Sequence, residues 1–355
     1  MTRKTVFVIG AGASKEANLP TGFELKAIIS KLLDMRFDWH KQTSGSPTIY
    51  EALKIITKGS HANSGDIDSY MQEAHHIRDA LQLALSIDNF IDQHRDNQKI
   101  AICGKLAIVE SILEAERKSL LYIKQDGTDS TINFNGLEKT WYLNFFRLLT
   151  ENCQKNELAK RFKSITLIIF NYDRCVEFFM FRALQKVYQI NGNEAAELLE
   201  CLSIYHPYGS VGSLPYLEVN DTISFGQTPN GQQLLTLAQQ IKTFTEGTDP
   251  NSSHIKEIQD RMTEASHLVF LGFAFHKLNM SLITPSNTLD VINRSIKCFA
   301  STMGLSLSDQ KVIKEQIFNL YNSQYIELKV NQMDIELASL ECNKFLTEYW
   351  KSIAF

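Results

Sequence analysis

Four short stretches of this chain carry residue types whose spacing could do chemistry. An apolar, β-branched run from Val6 ends in Gly10, Ala11, Gly12, Ala13 and Ser14. Two glycines there permit a tight turn and close backbone approach, and a helix opening at Ser14 would offer free N–H groups to an anion such as a nucleotide phosphate. An ordinary strand-to-helix turn reads the same way. The third glycine of a dehydrogenase fingerprint is replaced by Lys15, and no second strand with an acidic end follows promptly. Further on, the apolar run 164–170 leads into Asn171, Tyr172 and Asp173; the run 202–205 leads into His206, Pro207, Tyr208 and Gly209; and 267–271 leads into Gly272 and Phe273. A histidine in such a place can act as a general base, because imidazole titrates near neutrality. Each stretch also has a plainer reading. Asn171 and Asp173 can cap a helix, His206 can be a turn histidine before proline, and Gly272 can simply allow a sharp strand exit.

These residues matter together because each sits where a strand should end. Strands are expected over 6–10, 164–170, 202–205, 267–271, 296–301 and 325–330. Helices are expected over 69–85, 99–122, 140–149, 175–187, 255–265, 308–321 and 335–350. From 164 onward strands alternate with helices, which predicts an α/β fold, a Rossmann-like parallel sheet flanked by helices, with its first strand supplied from the start of the chain. In such sheets ligands bind beyond the carboxyl ends of the strands. Residues 37–156 show few strand signals and several amphipathic helical stretches, so they are expected to form a large helical insertion. The polar run 124–131 is expected to be an exposed loop inside it. The sheet domain is then discontinuous, 1–36 with 157–355.

Bulk properties narrow the function. At 355 residues, with 44% hydrophobic and 21% charged residues, the chain can bury a substantial core, and its net charge of −4 argues against a broad basic face for nucleic acid. The six cysteines (103, 153, 175, 201, 298, 342) form no C-x-x-C pair and no metal-ligand spacing, so reduced thiols, a cytoplasmic location and no metal are expected. No apolar run is long enough to span a membrane, and no signal peptide is expected. His75-His76 reads as a solvated helix face and the run Phe178–Phe181 as core. No P-loop and no nucleophile elbow is present.

Gly10-Ala11-Gly12-Ala13-Ser14 with Leu19-Pro20-Thr21-Gly22, then Asn171-Tyr172-Asp173, His206 with Gly209, and Leu271-Gly272-Phe273, in this order, resemble the sirtuin family. The resemblance is closer to the sirtuin-like NAD-consuming branch of bacterial antiphage defence, in which a segment similar to Ser86-Ile87-Asp88-Asn89-Phe90 also occurs. It covers roughly 1–30 and 160–330. It implies an NAD+ pocket lined by Gly10, Ala11, Gly12, Ser14, Pro20, Gly209, Gly272, Phe273 and Asn279. By the same resemblance Asn171 would hold the ribose hydroxyls and position a water, Asp173 would engage the carboxamide, and His206 would act as base.

The zinc ribbon of the deacylases is absent, Thr21-Gly22-Phe23-Glu24 replaces their aspartate-phenylalanine-arginine segment, and two residues separate His206 from Gly209. Water is therefore the expected acceptor. The resemblance implies an NAD+ glycohydrolase that releases nicotinamide and ADP-ribose, an effector acting by NAD+ depletion, restrained through homo-oligomerisation or a partner such as a HerA-type ATPase. The alternatives are a protein deacylase or ADP-ribosyltransferase, and a non-catalytic sensor of NAD or ADP-ribose.

Overall fold

The structure is a computed structural model that describes residues 3–59, 66–124, 131–217, 221–243, 246, 253–285, 295–321 and 332–355. Its centre is a six-stranded, all-parallel sheet. The strands are β1 (Thr5–Ile9), β4 (Ile165–Ile169), β5 (Ser203–Tyr205), β6 (His267–Leu271), β7 (Ser295–Ser301) and β8 (Gln332–Ala338), in the spatial order β5-β4-β1-β6-β7-β8. Counted along the chain, the sheet strands run 3-2-1-4-5-6, the doubly wound order in which the chain reverses direction beside the first strand.

β1 is buried at every position, as its unbroken apolar run requires of a strand covered on both faces. Val6 and Val8 point into one core, Phe7 and Ile9 into the other. The first core is completed by the helices Gly22–Leu33, Pro47–Gly59, Ile67–Ala80, Gln98–Lys118 and Gly231–Ala238. The second is completed by Trp141–Thr150, Cys175–Tyr188, Gly192–Glu200 and Cys342–Glu348. Phe145 meets Phe7 edge-on at 5.1 Å there. The segment 37–156 thus divides between the two faces, and its buried side chains belong to the same cores as the sheet. It also contains a short hairpin that its sequence does not announce. In this hairpin β2 (Arg36–Asp38) pairs with β3 (Lys41–Ser44) through Trp39 and His40, both in the left-handed conformation.

Two expectations at the ends of elements are corrected. The helix after β1 opens at Ala11 and runs only to Ser14, then tightens into a 3₁₀ turn that Asn18 ends at φ 69°. Ser14 is therefore the last residue of this turn and faces inward, since Gly10 itself takes the cap position. The expected helix over 335–350 begins only at Cys342. Ile335 and its neighbours belong to β8, where Asp334 and Glu336 face solvent and Ile335 is buried, the period-two pattern of a half-covered edge strand. The expected strand 325–330 and the core of the loop 124–131 lie outside the described residues.

At the reversal point β1 and β6 leave the sheet in contact. Gly10 N donates to Leu271 O and Gly12 N to Gly272 O, both at 3.0 Å. A Cβ on Gly10 would lie 2.5 Å from the Gly272 carbonyl oxygen, and one on Gly272, whose φ is +56°, would lie 2.1 Å from Ala13 N. Every colliding atom here is backbone, so no rotamer change relieves it. Gly272→Ala is expected to destabilise the protein by at least about 2 kcal/mol, read as a lowered urea midpoint. A change under about 0.5 kcal/mol would show that the two exits are not welded in solution.

Candidate functional site

β4 ends at Ile169, and the turn that follows faces the exit of β1. Ser14 Oγ donates to Asp173 Oδ2 at 2.8 Å and accepts from Asn171 Nδ2 at 2.9 Å. Asp173 also accepts from Cys175 N at 3.1 Å, so one of its oxygens caps the helix Cys175–Tyr188 while the other faces Ser14. Both the capping reading and the clustered reading of this residue therefore hold. Asn171 and Asp173 are more than nine-tenths buried. Burial raises the Asp173 carboxyl above its ordinary value, against the Ser14 and Cys175 hydrogen bonds that pull it down. Asn171 Oδ1 is buried and has no hydrogen-bond partner among the described residues.

His206 follows β5 and joins the same group. Its Nδ1 lies 3.0 Å from the Asn171 carbonyl oxygen, and its Nε2 lies 2.7 Å from Glu177 Oε1. A carbonyl can only accept, and an ionised carboxylate can only accept, so with Glu177 ionised the ring donates at both nitrogens. Burial pushes the imidazole down, but the charge and hydrogen bond of Glu177, with the Asn171 carbonyl, outweigh it and leave His206 raised. In this arrangement neither ring nitrogen has a free lone pair.

The remaining expected residues fall into four places. Gly10, Gly12 and Gly272 form the weld between β1 and β6, and Gly10 N, Gly12 N and Ala13 N all donate to backbone carbonyls, with Ala11 opening the turn between them. Gly209, at φ +75°, closes the turn after His206 by donating to its carbonyl at 3.0 Å. Phe273 is buried among Phe170, Phe270 and Phe275, and Asn279 accepts from Tyr208 Oη at 2.7 Å. Pro20 stands apart on a groove of about 910 Å³ whose lining includes Lys15, Phe23, Glu24, Gln82 and Lys118. Asn171, Asp173 and His206 do not line that groove.

Sequence reasoning missed the charges that hold the site. Arg174, next to Asp173, forms a wholly buried ion pair with Glu116 of the helix Gln98–Lys118. The guanidinium donates to Glu116 Oε1 at 3.0 Å and Oε2 at 2.6 Å and to Ile223 O at 2.7 Å, and Gly226 N adds a bond to the same carboxylate at 2.9 Å. Glu177 was readable only as an acidic residue in a helix's first turn, a position acids favour for the helix dipole. The segment 86–90 does touch the site: Ser86 caps the helix Ile87–Gln93, and Asp88 accepts a short hydrogen bond from Tyr172 Oη, between Asn171 and Asp173. His75 bonds to Met35 O at 2.9 Å and His76 to Glu73, while Phe178–Phe181 lie in the core.

Among the described residues no group of three or more His, Cys, Asp or Glu side chains is placed to hold a metal ion, and no helix is long and apolar enough to cross a membrane. No family model matches the chain, and no curated protein matches it either.

Arg174→Met is expected to cost about 3–5 kcal/mol, because it removes the cation paired with the buried Glu116 and leaves that carboxyl only backbone N–H donors such as Gly226 N. Urea unfolding measures this. A loss below about 1 kcal/mol would mean that water reaches Glu116.

Proposed function

We propose that the chain is a sirtuin-like NAD+ glycohydrolase that cleaves NAD+ to nicotinamide and ADP-ribose. The observation that carries this reading is Asn171 Oδ1, a buried acceptor without a hydrogen-bond partner among the described residues, held beside Ser14, Asp173 and His206 at the carboxyl ends of β1, β4 and β5. A native interior seldom leaves such an atom unsatisfied, and a ribose hydroxyl or an attacking water would satisfy it. The site lies at the carboxyl ends of strands of a doubly wound parallel sheet, the side on which such sheets bind their ligands.

Breaking the nicotinamide–ribose bond develops positive charge on the ribose. The site must hold the sugar, favour that charge and position water. In this reading Asn171 orients the ribose or the water, Asp173 engages the nicotinamide carboxamide, and His206 takes the attacking water's proton once the ring has passed its Nε2 proton to Glu177 and that contact has opened. The six cysteines form no C-x-x-C pair, the spacing a zinc ribbon is built from, which argues against an acyl-peptide groove of the deacylase kind and favours water as acceptor. The proposal extends to an antiphage effector that depletes NAD+, works as a homo-oligomer and answers to a HerA-type ATPase.

A second reading has its own observation. Both ring nitrogens of His206 are engaged, which suits a site that binds NAD or ADP-ribose without turning it over. One assay separates the two. Purified protein incubated with NAD+, with and without a candidate ATPase, is expected to release nicotinamide, and Asn171→Ala and His206→Ala are each expected to lower release at least ~10²-fold. Measurable NAD+ binding with no release in any state would replace the glycohydrolase with the sensor.

A further inference from the structure

Glu177 makes its only described side-chain hydrogen bond to His206, at 2.7 Å, and its second oxygen is buried with no partner among the described residues. Its side chain and that of His206 are equally withdrawn from solvent, each 12% exposed. A carboxylate so placed depends on the ring for its stabilisation. The opposite ring nitrogen faces a main-chain carbonyl, which fixes the imidazole plane from the other side. We propose that Glu177 is the positioning residue for His206, fixing the ring against the Asn171 carbonyl and keeping it doubly protonated, so that the ring is a cation until that pairing is released.

Among the described residues, the charged surroundings of the pair are few. Asp173 also faces His206 from the turn after β4, and Tyr216, whose hydroxyl has no hydrogen-bond partner among the described residues, feels Glu177, Arg174, Arg182 and Glu116. A second placement of the same proton would put it on Glu177, leaving a neutral ring that donates only from Nδ1. The two placements have opposite consequences. With the proton on the ring, His206 is a cation that the Glu177 carboxylate holds protonated beyond an ordinary imidazole, and it serves as a base only after that proton has left. With the proton on Glu177, the ring needs no carboxylate charge to stay where it is.

The structural arm of the inference stands on the Glu177–His206 geometry, and its kinetic arm rests on the glycohydrolase reading. Full-length protein labelled with ¹⁵N-histidine would be titrated from about pH 5 to 9 by NMR, with His206 assigned by its disappearance in His206→Gln. The wild-type ring is expected to show two protonated nitrogens past about pH 6.5. Glu177→Gln is expected to lower its midpoint by about one pH unit or more, and Glu177→Asp, which keeps the charge, by less. A neutral wild-type ring at pH 6.5, or one midpoint shared by wild type and Glu177→Gln, would overturn the assignment. In the kinetic arm the acid limb of nicotinamide release should move to lower pH in Glu177→Gln by the same shift. Lower release with an unmoved limb would reduce Glu177 to a packing residue. Absence of release from every protein would remove the glycohydrolase reading while the ring titration still decides the role of Glu177.

Discussion

The approach of two backbones, Gly12 on one side and Gly272 on the other, is the constraint on which the rest of the molecule depends. With no side chain between them, β1 and β6 leave the sheet together, joined by hydrogen bonds from Gly10 and Gly12. That closeness forces the chain after β1 into a single tight turn. The turn brings Ser14 round to face β4, and only from there can its hydroxyl bridge Asn171 and Asp173. A methyl group at any of these glycines would push the exits apart and break the bridge before it touched a ligand.

Polar groups are gathered around that turn at a depth where each needs a partner. Arg174 and Glu116 neutralise each other in full burial and fasten the turn after β4 to the helix Gln98–Lys118 across 58 residues of chain. His206 and Glu177 form a second pairing nearer the surface. The helix Cys175–Tyr188 thus has Asp173 capping its start and Glu177 near its first turn, both acting on the site as well as on the helix. In a low-dielectric interior such pairs fix orientation more firmly than they add stability, because desolvation offsets much of their attraction.

The sheet was largely legible from sequence, because unbroken apolar runs such as 165–169 and 267–271 occur where strands are covered on both faces. β8 was misread because Asp334 to Ala338 is short, charged on alternate residues and continuous with real helical periodicity beyond Cys342. The hairpin at 36–44 escaped notice because its turn is Trp39-His40, neither a usual turn former. Within the site, Asn171, Asp173 and His206 were legible from their place after strands. The role of the glycines was not, since a close backbone neighbour and a phosphate ask the same residue of the sequence. Arg174–Glu116 and His206–Glu177 were illegible for a different reason: pairing between distant segments leaves no mark in either segment alone.

Glu16 shows what this architecture demands of a growing chain. One of its oxygens accepts from Trp141 N and the other from Asn343 N, so a single carboxylate just after β1 is satisfied only by residues made far later. β1 itself waits for β4 to pair its first edge and for β6 to pair its second. At synthesis rates of about 5–20 residues per second, this most buried strand stays unpaired for tens of seconds. Its apolar run is then an open edge that a chaperone, or another nascent chain, can reach. The contacts that close the core are thus among the most distant in sequence, the kind whose loop-closure cost must be met before any of them rewards it.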